Sequence, residues 1–153
     1  MNKQPITRHE EAMMVLEKAE VCTLAIPDGN KAYAIPMNFG FTGEYIYFHG
    51  APFGKKVDLL QNNPEISAVF YTDAALNIRH ENVACSYSMK FRSVIVNGKA
   101  EIVTDNDEKI LALNSMMKKF STKDDFKYNA PALNNVHVFK LKFLNYTAFK
   151  RGY

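Results

Sequence analysis

GEYIYFHGAPFGKKVDLLQNN, residues 43–63, reads as a strand, a tight loop and a helix in immediate succession. Tyr45, Ile46, Tyr47, Phe48 and His49 form the strand-like run, and a loop of small residues carries the chain to Gly54. Lys55 and Lys56 then open a helical stretch that ends near Asn63, where Pro64 stops it. A helix N-terminus leaves backbone N–H groups unpaired and carries partial positive charge, so it suits an anionic group. Two lysines in that first turn have the wrong sign for the helix dipole, and a phosphate held there would account for them. Taken alone, the pair reads more readily as solvated surface side chains, because Lys is mostly exposed.

Hairpins surround this unit. Thr7 and Glu10 have capping-box spacing and open a helix with Ala12, Met13, Leu16 and Ala19 on one side. Residues 21–26 read as a strand closed by the Pro27-Asp28-Gly29-Asn30 turn, 31–41 as its hairpin partner, and 44–49 as a third strand after Thr42-Gly43. Further strands are expected at 65–72 and 91–96, the latter returning through an Asn97-Gly98 type I′ turn as 99–103. Asp105 and Glu108 repeat the capping logic for a helix whose face carries Leu113, Met116, Met117 and Phe120. Residues 121–131 read as polar loop and 136–144 as the last strand. Six or seven hairpin-linked strands with three helices imply a mainly β, α+β architecture, a largely antiparallel sheet that closes on itself.

The chain of 153 residues reads as one domain, able to bury about 70% of its extended surface. Its 47% hydrophobic and 23% charged residues are ordinary for a folded soluble protein. A net charge of +3, without a basic arm, gives no nucleic-acid signature. Cys22 and Cys85 are far apart in sequence and suggest neither a disulfide scaffold nor a CxxC site. MNKQPITRHEEAMM has no apolar signal-peptide core and no run reaches transmembrane length, so a cytoplasmic location and no membrane partner are expected.

Nucleophile-elbow, Walker, HExxH and GxGxxG motifs are absent. His49, His80 and Cys85 are not at metal-ligand spacing, and no metal is expected. His49 ends its strand beside Gly50. It reads either as a hydrogen-bonded strand-end histidine or as a proton-moving group facing whatever the lysines hold. Tyr87 and Phe91 read either as core aromatics or as walls for a flat ligand.

These segments together resemble the FMN-binding split β-barrel family related to pyridoxamine 5′-phosphate oxidase, and most of all its nitroimidazole-resistance (Nim-type) branch. The resemblance rests on Ile35-Pro36-Met37-Asn38-Phe39-Gly40-Phe41, Tyr47-Phe48-His49-Gly50-Ala51, Gly54-Lys55-Lys56 and Ser88-Met89-Lys90-Phe91-Arg92-Ser93-Val94-Ile95, in that order and spacing. It implies an antiparallel split β-barrel homodimer with FMN at the subunit interface. Carried over by position, it implies that the 33–38 strand, with Ile35, Pro36, Met37 and Asn38, lies along the flavin ring. Phe48 and His49 would contact the cofactor, Lys55 and Lys56 would bind its phosphate, and Ser93 would make a polar flavin contact. Tyr87 stands where Nim-type chains often have tryptophan, and His49 where they have a histidine implicated in activity.

The implied function is an FMN-dependent oxidoreductase reducing a small acceptor such as a nitroimidazole or another nitroaromatic compound. A non-catalytic flavin- or haem-binding protein is the alternative. Oxidation of pyridoxamine 5′-phosphate is disfavoured, since Tyr33 replaces the oxidase's arginine, Asn38 its substrate-binding lysine, and the Lys150-Arg151 tail lacks its arginine-and-histidine ending.

Overall fold

The computed structural model describes residues 2–153. In chain order its elements are β1 (Lys3–Pro5), α1 (His9–Lys18), β2 (Val21–Asp28), β3 (Lys31–Asn38), β4 (Gly40–Phe41), β5 (Tyr45–Gly50), α2 (Lys55–Asn62), β6 (Glu65–Ile78), β7 (Tyr87–Lys99), β8 (Glu101–Val103), α3 (Asn106–Met117), α4 (Ala130–Asn134), β9 (His137–Lys142) and β10 (Tyr146–Arg151). The strands form two sheets, ordered β1-β10-β7-β6-β2-β3 and β4-β5-β9-β8, and every pairing is antiparallel. The expected antiparallel, mainly β architecture is present, but as two packed sheets rather than one closed barrel.

Alternation explains what lies between the sheets. Leu24 and Ile26 of β2, Ala68 and Phe70 of β6, and Val94 and Val96 of β7 face Ile46 and Phe48 of β5 and Phe139 and Leu141 of β9. Phe48 stacks on Phe139 at 5.0 Å, and Phe39 meets Phe70 edge-on at 4.7 Å. Helix α1 closes this core with Ala12, Val15 and Leu16. A smaller core, Tyr47, Val103, Val138, Ala112 and Met116, joins the other face of the second sheet to α3.

The chain changes sheet where the sequence suggested continuity. The expected 31–41 strand breaks at Phe39, because that ring is wholly buried against Phe70 and the backbone bends to put it there. Asn97 and Gly98 do not form a hairpin turn: they stay in β7 opposite Ser67 and Ile66, and the Ser67 hydroxyl donates to Asn97 Oδ1 at 2.5 Å. The crossing comes at Ala100, whose N–H donates to Pro64 O at 2.8 Å.

The helix boundaries divide in the same way. Asp105 does cap α3, its Oδ2 accepting from Glu108 N–H at 2.9 Å. Thr7 does not cap α1, whose N-cap is Arg8 without a side-chain bond. Helix α3 ends at Met117, so Phe120 is exposed instead of lying on its buried face. Lys119 lies just past that end and folds back to give its ammonium to Leu16 O and Ala19 O, both at 2.8 Å. Strand β10, unforeseen in the sequence, threads between β1 and β7.

Strands β6 and β7 run well beyond the expected 65–72 and 91–96 and form a projecting arm. Its register shifts between Thr72 and Ala75, where Asp73 has a φ of 56°. Leu76 and Ile78 then pair with Met89 and Tyr87, and all four are exposed. No helix among the described residues is long and apolar enough to cross a membrane.

Candidate functional site

The start of α2 lies over β3, the edge strand of the larger sheet, next to the end of β5. Gly54 makes the entry possible: its φ of 108° is a conformation that L side chains rarely adopt, and no side chain caps the helix behind it. The first-turn N–H groups of α2 therefore lack a side-chain acceptor at the N-cap, as an anion site requires.

From this turn the two lysines diverge along β3. Lys55 Nζ pairs with Asp28 Oδ2 at 2.8 Å and lies 4.8 Å from the Tyr33 ring centroid, and its bond to Asp28 raises its pKa. Lys56 turns the opposite way. Its only hydrogen-bond contact among the described residues is the Met37 sulfur at 3.8 Å, and its ammonium occupies the space a Gly50 side chain would fill. Burial lowers the Lys56 pKa, and no carboxylate among the described residues pairs with it.

The charge of that ammonium reaches two imidazoles, which leave the second sheet on opposite faces. In the β5–β9 register His49 faces Val138 and Gly50 faces His137. Burial of the ring, then the Lys56 charge, lowers the His49 pKa. Burial lowers that of His137 as well, with Lys56 and Lys109 adding to it. His137 Nδ1 is buried without a hydrogen-bond partner. Chemically this is a cationic pocket suited to an anion: one half-buried ammonium, two imidazoles held toward neutrality, and an open helix start.

The remaining expected site residues are dispersed. Ile35 and Met37 turn inward onto the core, while Pro36 and Asn38 face outward on the exposed side of the sheet. Phe48 buries its ring completely, leaving only its main chain for a ligand. Ser93 sits on β7, three strands from β3, roughly 14 Å at ordinary strand spacing. Tyr87 lies near the tip of the arm, where its hydroxyl donates to Glu81 O at 2.8 Å. Sequence reasoning passed over His137, because its pairing with Gly50 joins segments 87 positions apart. It also passed over Asp28 as the partner of Lys55. A groove of about 390 Å³ opens on the outer side of the sheet against Tyr33 and Ala34, but no histidine or lysine lines it. No group of three His, Cys, Asp or Glu side chains among the described residues could hold a metal ion. Burial pushes the Cys22 thiol up to about 12, too high for a reactive thiolate.

The family model described as pyridoxamine 5′-phosphate oxidase matches residues 8–149. Among solved structures, a candidate 5-nitroimidazole antibiotic resistance protein from Bacteroides thetaiotaomicron is 31% identical, with a TM-score of 0.82 over 97% of this chain and 89% of that one. The FAD and haem binding protein of Mycobacterium smegmatis (17% identity, TM-score 0.84, 97% of this chain and 74% of that one) shares the fold. So does a flavocytochrome of Azotobacter vinelandii (18%, 0.83, 97% and 70%). No match is found among curated proteins.

The electrostatics of the ligand-free pocket predict a pH dependence. His137 has a folded pKa below its unfolded value of about 6.5. Its neutral form therefore favours the folded state above that pH, and stability falls as the pH drops from about 6.5 through the depressed value. Glu11 and Asp73 interfere only at lower pH, since Lys150 and Arg92 hold Glu11 down, and at Asp73 the Arg92 and Lys18 bonds outweigh burial. Thermal unfolding between pH 7.5 and 5 should show a falling Tm for the ligand-free protein and a shallower fall for His137→Gln. Identical slopes would remove His137 as the source.

Proposed function

Because the chain belongs to the pyridoxamine 5′-phosphate oxidase family, we propose that it binds FMN and acts as a flavin-dependent oxidoreductase that reduces a small acceptor of the nitroaromatic class, such as a nitroimidazole. The observation that carries this reading is the Lys56 ammonium: folded onto Gly50, without a carboxylate, opposite the unpartnered His137 and beside an open helix start. Such an arrangement suits a dianionic phosphate and costs stability without one. The likeness to the 5-nitroimidazole resistance candidate supports the acceptor class.

The FMN would supply the redox chemistry, while the chain binds and orients it. Lys56 and the N–H groups of α2 hold the phosphate. Lys55 joins them by leaving Asp28, and an exposed ion pair is readily exchanged in that way. The main chain of β3, the edge strand of its sheet, would orient the ring system through its N–H and C=O groups. His49, at the mouth of the pocket, gives or takes a proton at a ring nitrogen as the bound acceptor changes charge. Tyr33 and Asn38 stand against a substrate phosphate of the B6 type, because neither supplies a cation.

A second copy of the chain completes the site in this reading. Ser93 and Tyr87 are too far from Lys56 within one chain to touch the same ring. They lie on a continuous outer face that exposes Val21, Tyr71 and Ile95 on the sheet and Leu76, Ile78 and Met89 on the arm. A face of this kind is normally covered, and self-pairing brings one copy's Ser93 and Tyr87 toward the other's Lys56.

Three measurements test the proposal. Fluorescence titration should show Lys56→Ala weakening FMN binding about tenfold or more, and Lys55→Ala less, since Lys55 is shared with Asp28. Equal FMN affinity in all three proteins would place the phosphate elsewhere. With a reduced nicotinamide as electron donor, His49→Ala should leave FMN affinity within a few-fold but slow the reduction of a nitroaromatic acceptor by about a hundredfold; unchanged turnover would reduce His49 to a structural contact. Sedimentation should show a dimer whenever flavin is bound, and a monomer holding FMN tightly would sink the shared site.

A further inference from the structure

Resting on the reading of Lys56 as an anion-binding residue, we propose that His137 is the second ligand of that anion, donating from Nδ1 to a phosphate oxygen and taking up one proton from solvent as the anion binds. Residue 137 opens β9 directly opposite Gly50, and directly opposed residues of antiparallel strands bring their side chains to within about 5 Å. Gly50 has no side chain, and the Lys56 ammonium fills that space. The ammonium is thereby the cross-strand neighbour of the imidazole. A shared ring fixes both: Lys56 Nζ lies 6.0 Å from the Phe139 centroid, and the His137 and Phe139 rings are 5.6 Å apart.

His137 Nδ1 is the one buried side-chain nitrogen or oxygen without a hydrogen-bond partner among the described residues. Buried polar groups are nearly always paired, so a ligand or water belongs there. The charged groups acting on the ring are the ammoniums of Lys56 from α2 and Lys109 from α3, with no carboxylate among them, and His49 on the adjoining strand leaves from the other face. Lys109 is occupied, donating to Leu133 O at 2.9 Å and Val136 O at 3.3 Å. Cations with no anion keep the ring neutral. A phosphate dianion reverses the sign of the local field and favours the imidazolium. One proton then moves from water to the ring, and no covalent bond forms or breaks.

Binding should therefore be linked to pH chiefly through His137, the cross-strand neighbour of the ammonium, since His49 feels the Lys56 charge from the opposite face of the sheet. The experiment is NMR of the four histidines in the 153-residue chain, with the His137 signal assigned by its loss in His137→Gln. Without ligand its midpoint should lie below about 6.5, and saturating FMN should raise it by more than one pH unit. In parallel, His137→Gln should bind FMN about tenfold more weakly at pH 6.5 yet bind riboflavin, which lacks the phosphate, as the wild type does. Comparing the two proteins at one pH cancels the phosphate's own protonation near pH 6. A His137 midpoint unmoved by FMN in a protein whose FMN affinity depends on Lys56 overturns the assignment, as does an equal loss of riboflavin binding. If the wild type binds no FMN, the flavin reading fails by itself. Inorganic phosphate then decides for His137: a raised midpoint supports the anion site, and an unmoved one ends it.

Discussion

The register of β5 against β9 is the constraint on which the site depends. It sets Phe48 against Phe139, His49 against Val138 and Gly50 against His137. Side chains alternate along a strand, so a slip of one residue would send every one of these to the wrong face. The stacked, fully buried Phe48–Phe139 pair holds the register, because moving two large rings into water is among the most costly changes a core can suffer. The cationic pocket is thus positioned by a hydrocarbon contact one residue away. His49 gains its place at the pocket mouth from Phe48, and His137 gains its proximity to Lys56 from Phe139.

Short-range physics was legible in the sequence and long-range pairing was not. The α2 helix begins at Lys55, and Asp105 caps α3, because in each case the signal and its target are within a turn of each other. Asn97-Gly98 carries an equally strong local signal and fails, since pairing with Ser67 and Ile66 across the sheet outweighs a preference for turning. Strand β10 went unread because its partners β1 and β7 are far away in sequence. The break at Phe39 depends on Phe70, and the importance of His137 depends on Gly50. For the site, the sequence suggested the lysine pair and His49 as candidates; it did not suggest that the two lysines diverge.

Half-buried lysines occur in two forms here. Lys119 is buried enough for its pKa to fall, yet its ammonium donates to Leu16, Glu17 and Ala19 carbonyls at the C-terminal end of α1, which has no glycine to finish it. Lys109 does the same for the end of α4. Both meet the exposed carbonyls and negative pole of a helix terminus, which explains their burial fully. Lys56 is lowered by the same desolvation but lies at a helix start, the positive pole, with a thioether for a partner. The same residue type at a similar depth thus meets helix carbonyls in two places and a thioether in one, and the proposed anion-binding role of Lys56 rests on this contrast.

The irregularity in β6 has a consequence for how the gene can vary. Between Thr72 and Ala75 two residues, Asp73 and Ala74, span the interval that Phe91 alone spans on β7. Asp73 is fixed in its left-handed conformation by Arg92 at 2.6 Å and by the Tyr153 hydroxyl on its carbonyl at 2.7 Å. That extra residue shifts the parity of β6, so Leu76 and Ile78 appear on the same side as Tyr71 instead of the reverse. Substitutions in this stretch leave the outward pattern intact. Loss of a single codon there would rotate the distal arm by one face, turning its apolar side chains away from the sheet surface they continue. Related chains are therefore expected to vary here in identity but not in length, the arm being tuned by the count of its residues more than by their kind.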